Sequence, residues 1–300
     1  MRSVAIFGGL VSAGLGGDYA TQRSACSGPV SPSGVSGQDD RRRTGLCQLD
    51  RLTNGLAPGS LITIAGRPAM GKSLLSYQIA DHIARVEQRA VTIVSSEGGP
   101  TVAWRMAHLQ MDAWPIRRAD PAQQSLDEER ALLQLSNMPV LLADPLRSPL
   151  SETAARTIEF SWKCGVAPGA LFVDDPAHAV VASGCTSRTN RVVAELRAVA
   201  VAMGIPVIVT ASVNRAVECR CQRRPHLTDF DDPAAAFVRG ADIVLTLYRD
   251  ELYDINTTDP GIAELALLRH PFGHTGISRL RVGRYRFQVE DDPPPRFSMA

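Results

Sequence analysis

Gly66-Arg67-Pro68-Ala69-Met70-Gly71-Lys72-Ser73 matches G-x-x-x-x-G-K-[ST] at every fixed position. The run Leu61-Ile62-Thr63-Ile64-Ala65 before it reads as a buried strand. After it, Leu74, Leu75, Ile79, Ile83 and Ala84 recur on one helical face. Strand, glycine loop and helix are the context in which this motif cradles phosphate. The glycines let backbone N–H groups converge, and the helix N-terminus adds partial positive charge. Lys72 is expected to reach the β- and γ-phosphates, and the Ser73 hydroxyl to ligate Mg²⁺. Gly66 through Leu74 is thus the expected nucleotide-binding stretch, with ATP and Mg as the expected ligands. The alternative, an ordinary glycine turn, is disfavoured by the complete set of fixed positions.

The bulk composition is that of an ordinary globular protein: 300 residues, 44% hydrophobic and 21% charged. A formal net charge of +1 excludes a global basic field, so any nucleic-acid contact must be a local patch. Lys72 and Lys163 are the only lysines, against thirty arginines, a bias expected of GC-rich coding. Six scattered cysteines suggest no disulfide framework. An ATP site argues for a reducing, cytoplasmic setting. The stretch Val4 to Gly16 faintly resembles a signal-peptide core but lacks a convincing cleavage site, and it is read as a tail. No apolar run is long enough to span a membrane, and no membrane partner is expected.

Residues 1–43 read as a tail or linker, Ser-, Gly- and Pro-rich from Thr21 and ending in Asp39-Asp40-Arg41-Arg42-Arg43, a solvated charge run. Residues 44–290 read as one domain and 291–300 as a second tail. Leu46, Leu49, Leu52 and Leu56 have helical spacing, stopped by Gly55 and Pro58-Gly59. Apolar runs at Val91–Ser96, Val140–Leu142, Gly169–Asp175, Pro206–Ser212 and Ile243–Tyr248 read as strands. Helices are expected after Glu97, over Asp120–Leu135, from Ser151 and over Asn190–Met203. Ile262–Leu268 and Ile277–Phe287 read as strands of a β-rich end. This alternation predicts an α/β fold, a mostly parallel sheet with helices on both faces. Ligands in such sheets sit at the carboxyl ends of strands, where the glycine loop, Glu97, Asp174 and Ser212 all fall.

Asp174 closes an apolar strand, the place of a metal-holding carboxylate in phosphate-loop proteins; a turn or N-cap Asp is the alternative. Asp175 either shares this work or caps the next segment. Glu97 ends the strand expected beside the first, where a carboxylate can polarise the attacking water. Arg215, Arg220, Arg223 and Arg224 lie in a loop at the ligand edge and are candidate DNA contacts. Arg279, Arg281, Arg284 and Arg286 have the spacing of a solvated sheet face. Cys219, Cys221 and His226 lack the spacing of a zinc site and read as loop residues.

From Thr44 to Phe287 the chain resembles the motor domain of DnaB-type replicative DNA helicases. The resemblance is carried by the glycine loop with its Arg-Pro pair and Met70, and by Val94-Ser95-Ser96-Glu97 and Phe172-Val173-Asp174. Further matches are Val213-Asn214-Arg215, Tyr248-Arg249-Asp250-Glu251-Leu252-Tyr253 and Gly261-Ile262-Ala263-Glu264. It implies a RecA-like P-loop NTPase fold and a homo-oligomeric ring, a hexamer, acting on single-stranded DNA with other replication proteins. It also makes Glu97 the catalytic glutamate and Asp174 the Walker-B acid. Arg269 takes the first position of the family's Lys-x-Arg pair, which reaches a neighbour's nucleotide, and Pro271 takes the second. Ser212 stands where the family has a γ-phosphate-sensing Gln, and Phe230-Asp231-Asp232-Pro233-Ala234-Ala235 where it has a DNA-contacting stretch. The residues ahead of Thr44 are expected to hold no counterpart of the family's primase-interacting domain. These departures leave open a RecA-like ATPase that does not unwind, serving as an ATP-gated DNA- or protein-binding module. A recombination-type relative that shares the core is a third reading.

Overall fold

The computed structural model describes residues 40–110, 121–143, 150–176, 186–273 and 275–289. The expected tail at 291–300, most of the one at 1–43 and the apolar stretch at 4–16 lie outside them. Six strands run parallel: β1 (Leu61–Gly66), β2 (Ala90–Ser95), β3 (Val140–Ala143), β4 (Pro168–Asp174), β5 (Val207–Ser212) and β6 (Ile243–Tyr248). Then β7 (Ile262–Arg269), β8 (Gly276–Val282) and β9 (Phe287–Val289) add antiparallel strands at one edge. The sheet order is β3-β2-β4-β5-β1-β6-β7-β8-β9.

Every residue of β1, β2 and β6 is buried, so these strands read as continuous apolar runs, as a sheet covered on both faces requires. Side chains still alternate within them. Ile62 and Ile64 enter a cluster with α1 (Cys47–Thr53), α2 (Lys72–Arg85) and α3 (Gly99–Leu109). Leu61 points the other way, toward α5 (Leu150–Cys164) and α6 (Thr186–Met203), with α4 (Pro121–Ser136) lying before β3 in the chain. Thr63 also faces away from the first cluster and donates its hydroxyl to Phe237 O (3.1 Å) in α7 (Ala234–Gly240), so the one polar side chain in β1 is satisfied.

The architecture agrees with the reading of the sequence, with four corrections. First, β2 is not beside β1: β4 and β5 lie between them, and β1 pairs with β5 and β6. Crossover rules fix handedness, not the number of strands passed over. Second, Leu56 lies outside α1. It forms a bridge with Arg42, N to O at 2.9 and 2.8 Å. Third, Arg42 is not part of a solvated run: its guanidinium meets Glu87 Oε2 at 3.2 Å, and Arg43 N donates to Glu87 Oε1 (2.6 Å). Fourth, the last predicted strand is two. A turn separates β8 from β9, so Arg279 and Arg281 share a face of β8 while Arg284 and Arg286 belong to the turn.

Candidate nucleotide site

β1 ends at Gly66 and α2 begins at Lys72, so the loop joining them lies at the carboxyl edge of the sheet. Two of its glycines are required by space and by backbone angle. A Cβ on Gly66 would stand 2.8 Å from Leu247 O, and one on Gly71 2.7 Å from the Phe287 ring. Gly71 also has φ +100°, in the left-handed region. It precedes α2 as N-cap with no side-chain cap, which leaves first-turn N–H groups available to an anion. Pro68 and Ala69 are exposed, Met70 is buried against the core, and Ser73 and Leu74 are partly buried. The Leu74 side chain packs on the core.

The β9 strand props this loop. Gln78 of α2 donates Nε2 to Phe287 O (2.8 Å) and accepts from Phe287 N at Oε1 (2.7 Å), which places the buried Phe287 ring under Gly71. Phe287→Ala is expected to cost about 3–5 kcal/mol of stability, the usual range for emptying a buried Phe. A thermal melt, paired with ADP titration, measures both the lost packing and the loosened loop.

Lys72 Nζ donates to Arg67 O (3.2 Å) inside the loop. Burial pushes its pKa down, against the attraction of Asp175 and Asp174 and with a further push from Arg67. Asp174 is buried at the end of β4 and accepts from two hydroxyls, Tyr77 Oη on Oδ2 and Thr210 Oγ1 on Oδ1, each at 2.7 Å. Tyr77 Oη also sits 3.2 Å from Ser95 Oγ. Burial first, then the negative charge of Asp174, raises the Tyr77 pKa, so the phenol stays a donor. Ser95 is the β2 register partner of Asp174, and Glu97 follows it, its N–H bonded to Ser95 Oγ (3.2 Å). Glu97 pairs with Arg105 of α3 at 2.9 Å. Partial burial raises its pKa; Arg105 opposes this and Asp174 adds to it.

Lys72 and Ser73 after β1, Glu97 after β2 and Asp174 at the end of β4 thus lie along the same carboxyl edge of the sheet. The donor set fits a nucleotide with a hard divalent ion: uncapped amides and a lysine for phosphate, a hydroxyl and carboxylates for Mg²⁺.

The candidate DNA arginines sit differently from their sequence reading. Arg220 is bidentate to Asp229 (2.7 and 3.0 Å), and Arg224 is bidentate to Glu264 (2.5 and 2.6 Å) while lying over the Tyr248 ring. Arg223 lies over Tyr253, and Arg215 reaches Glu218 at 3.4 Å. These ion pairs give the loop its shape, and their positive charge is largely answered within the domain. The loop is also tied to the phosphate loop: the Arg67 guanidinium meets Glu218 (2.8 Å) and Val213 O (3.0 Å). Arg67 therefore points at the neighbouring loop, leaving only its backbone to the phosphate cradle. No sequence signal marks Tyr77, Thr210, Glu218 or Phe287, because the partners named above are distant in the chain; Arg105 pairs with the nearby Glu97 across the start of α3. Arg269 donates to Val238 O (2.8 Å) and to two nearby carbonyls, holding the C-terminus of α7. Cys219 and Cys221 are exposed thiols in the loop. No helix among the described residues is long and apolar enough to cross a membrane.

Residues 42–288 match the family described as DnaB-like helicase C terminal domain. Among curated proteins, the replicative DNA helicase DnaC of Bacillus subtilis (strain 168) is 29% identical over 247 residues, 79% of this chain and 53% of that protein. The replicative DNA helicase DnaB of Haemophilus influenzae is 27% identical over 261 residues, 83% and 54% respectively. The chain spans about half the length of these curated relatives. Among solved structures, a DnaB-like replicative helicase described with its interactions with primase aligns with TM-score 0.71 at 23% identity, over 86% of this chain and 64% of that one. The RadB recombinase aligns with TM-score 0.52 at 22% identity, over 83% and 100%. These likenesses establish a RecA-like α/β fold.

Proposed function

The chain belongs to the DnaB-like helicase C-terminal domain family, and from that premise we propose that it is an ATP-hydrolysing motor of the DnaB type. In this reading it works as a homo-oligomeric ring, a hexamer, on single-stranded DNA during replication, in the cytoplasm and alongside other replication proteins. The observation that carries the reading is that Lys72 of the glycine loop and Glu97, beyond the end of β2, both feel the charge of Asp174 at the end of β4. Lys72 and the loop amides would hold the phosphates, while Ser73 and the carboxylates at the end of β4 would hold Mg²⁺. The ion would neutralise charge on the β- and γ-oxygens. Glu97 would take a proton from the attacking water, and a pKa raised by burial suits a base working near neutral pH. Arg105 would orient the Glu97 carboxylate.

A second reading, an ATPase that binds DNA or protein without unwinding, draws on specific residues. Ser212 is too short to act as a long amide sensor, Pro271 carries no charge, and Arg269 is engaged by carbonyls of its own domain. An arginine supplied in trans contributes about 10³–10⁵ in rate, so hydrolysis by this chain is expected to be slow.

Phosphate release with and without single-stranded DNA, followed by a strand-separation assay, tests both readings. The motor reading expects DNA-stimulated hydrolysis and ATP-driven unwinding that both weaken as salt rises. Nucleotide binding without strand separation supports the second reading, and absence of nucleotide binding refutes both.

A further inference from the structure

We infer that Glu218 is a positioning residue for the phosphate loop, acting through the Arg67 guanidinium from the turn that follows β5. This rests on the ATP reading above and names a residue outside the loop on which that site depends.

Arg67 is the pivot of the loop. Its carbonyl accepts from Met70 N (3.3 Å), which closes a turn, and from Lys72 Nζ (3.2 Å). Within that turn Ala69 has φ +66°, in the left-handed region that a residue with a Cβ seldom adopts. Such a backbone persists only where its surroundings hold it. The Arg67 side chain supplies a hold from outside the loop. Its Nε donates to Glu218 Oε1 (2.9 Å), Nη2 lies 2.8 Å from the same oxygen, and Nη1 donates to Val213 O (3.0 Å). Val213 N in turn donates to Gly66 O (3.2 Å), so the segment after β5 grips both Gly66 and Arg67.

Glu218 stands on a base fixed independently of Arg67. It belongs to a 3₁₀ turn, Arg215–Cys219, which Asn214 caps by accepting from Ala216 N (2.8 Å). Val217, beside it, is buried in a cluster with Ala65 of β1, Ala211 of β5 and Phe230. Beyond the turn, Arg220 is bidentate to Asp229, whose carbonyl also accepts from Asn214 N (2.9 Å). The hydrogen bond from Arg67, ahead of the longer one from Arg215, holds the Glu218 carboxyl below its usual range, so the pair stays ionised at neutral pH. A loop held in shape before the nucleotide arrives loses less freedom on binding it. The clamp therefore acts on nucleotide affinity although Glu218 itself lies outside the phosphate loop.

A double-mutant cycle on the full chain tests this, read out by ADP affinity and by amide hydrogen exchange of the nucleotide-free protein. Glu218→Ala is expected to weaken ADP binding about 10-fold, an ordinary size for coupling between neighbouring sites. It should also speed exchange over residues 67–73 while leaving the core strands protected. Arg67→Ala is expected to weaken ADP binding as much, and the double variant no more than either single one, because both remove the same clamp. Glu218→Gln keeps an acceptor for Arg67 and is expected to fall between Glu218→Ala and the unaltered chain; it serves if the alanine variant does not fold. Losses that add, or exchange that quickens throughout the domain, would reduce Glu218 to a general stabilising contact and overturn the inference. Unchanged or tighter ADP binding by Glu218→Ala overturns it as well, tighter binding meaning that the carboxylate only withholds the charge of Arg67 from phosphate. Failure of the unaltered chain to bind ADP at all overturns the ATP reading, and this inference with it.

Discussion

Lys72→Ala is expected to remove ATP turnover without weakening the fold. Lys72 is the lysine of the glycine loop, and its ammonium is held among a loop carbonyl and the carboxylates at the end of β4, at the point where phosphate charge would develop. Removing one preorganised donor of this kind costs about 10²–10³ in rate. In the proposed reading the same group would also contribute to binding, so the combined loss should carry turnover below detection. The stability half of the expectation follows from the sign of the pKa shift. Burial holds the Lys72 pKa below its ordinary value even though Asp175 and Asp174 pull it up. A base whose folded pKa is depressed opposes folding wherever the unfolded chain would be protonated, which covers neutral pH. Deleting it should leave the melting temperature unchanged or higher, and Lys72→Met, which keeps the apolar stem, should behave alike. Phosphate release and thermal melts on the same samples check both halves. Undiminished turnover in pure Lys72→Ala protein would remove the glycine loop from the mechanism.

The parts of this site that were legible in the sequence are those carried by local pattern. The glycine loop needs two glycines at fixed spacing, for reasons visible at Gly66 and Gly71: a backbone carbonyl and an aromatic ring occupy the space a side chain would take. Asp174 and Glu97 stand out because each follows an apolar run, and the end of a buried strand is where a parallel sheet presents polar groups to ligand. The long-range partners were not legible. Tyr77 looks like one more apolar member of an amphipathic helix until Ser95 and Asp174 are seen around its hydroxyl. Gln78 and Phe287 are separated by most of the chain yet form a two-point bond that supports Gly71. The basic loop shows the opposite failure. Four arginines near a ligand edge suggest phosphate contact, but composition cannot reveal that Asp229 and Glu264 answer two of them bidentately. A local charge pattern specifies a patch only when the acids that fold against it are also counted.

Glu97→Gln tests the chemical step itself. The amide keeps the size and hydrogen-bonding reach of the carboxylate but cannot accept a proton from water. Turnover is expected to fall about 10²–10⁴-fold, the usual contribution of a positioned general base, with ADP affinity close to that of the unaltered chain. The pH dependence gives a second, sharper reading. Burial raises the Glu97 pKa, the Arg105 guanidinium 2.9 Å away pulls it down, and Asp174 pushes it up. The active form of a base is the deprotonated one, so activity should rise with pH through an acid limb lying above the ordinary glutamate value. Arg105→Ala removes the cation paired with this carboxylate. That raises the pKa further and moves the acid limb to higher pH, while activity well above the limb recovers toward that of the unaltered chain. A residue that only packed α3 against the sheet would lower the rate uniformly without moving the limb. A pH profile of Arg105→Ala unshifted from the wild type, or a Glu97→Gln variant with full turnover, would assign proton removal to another group.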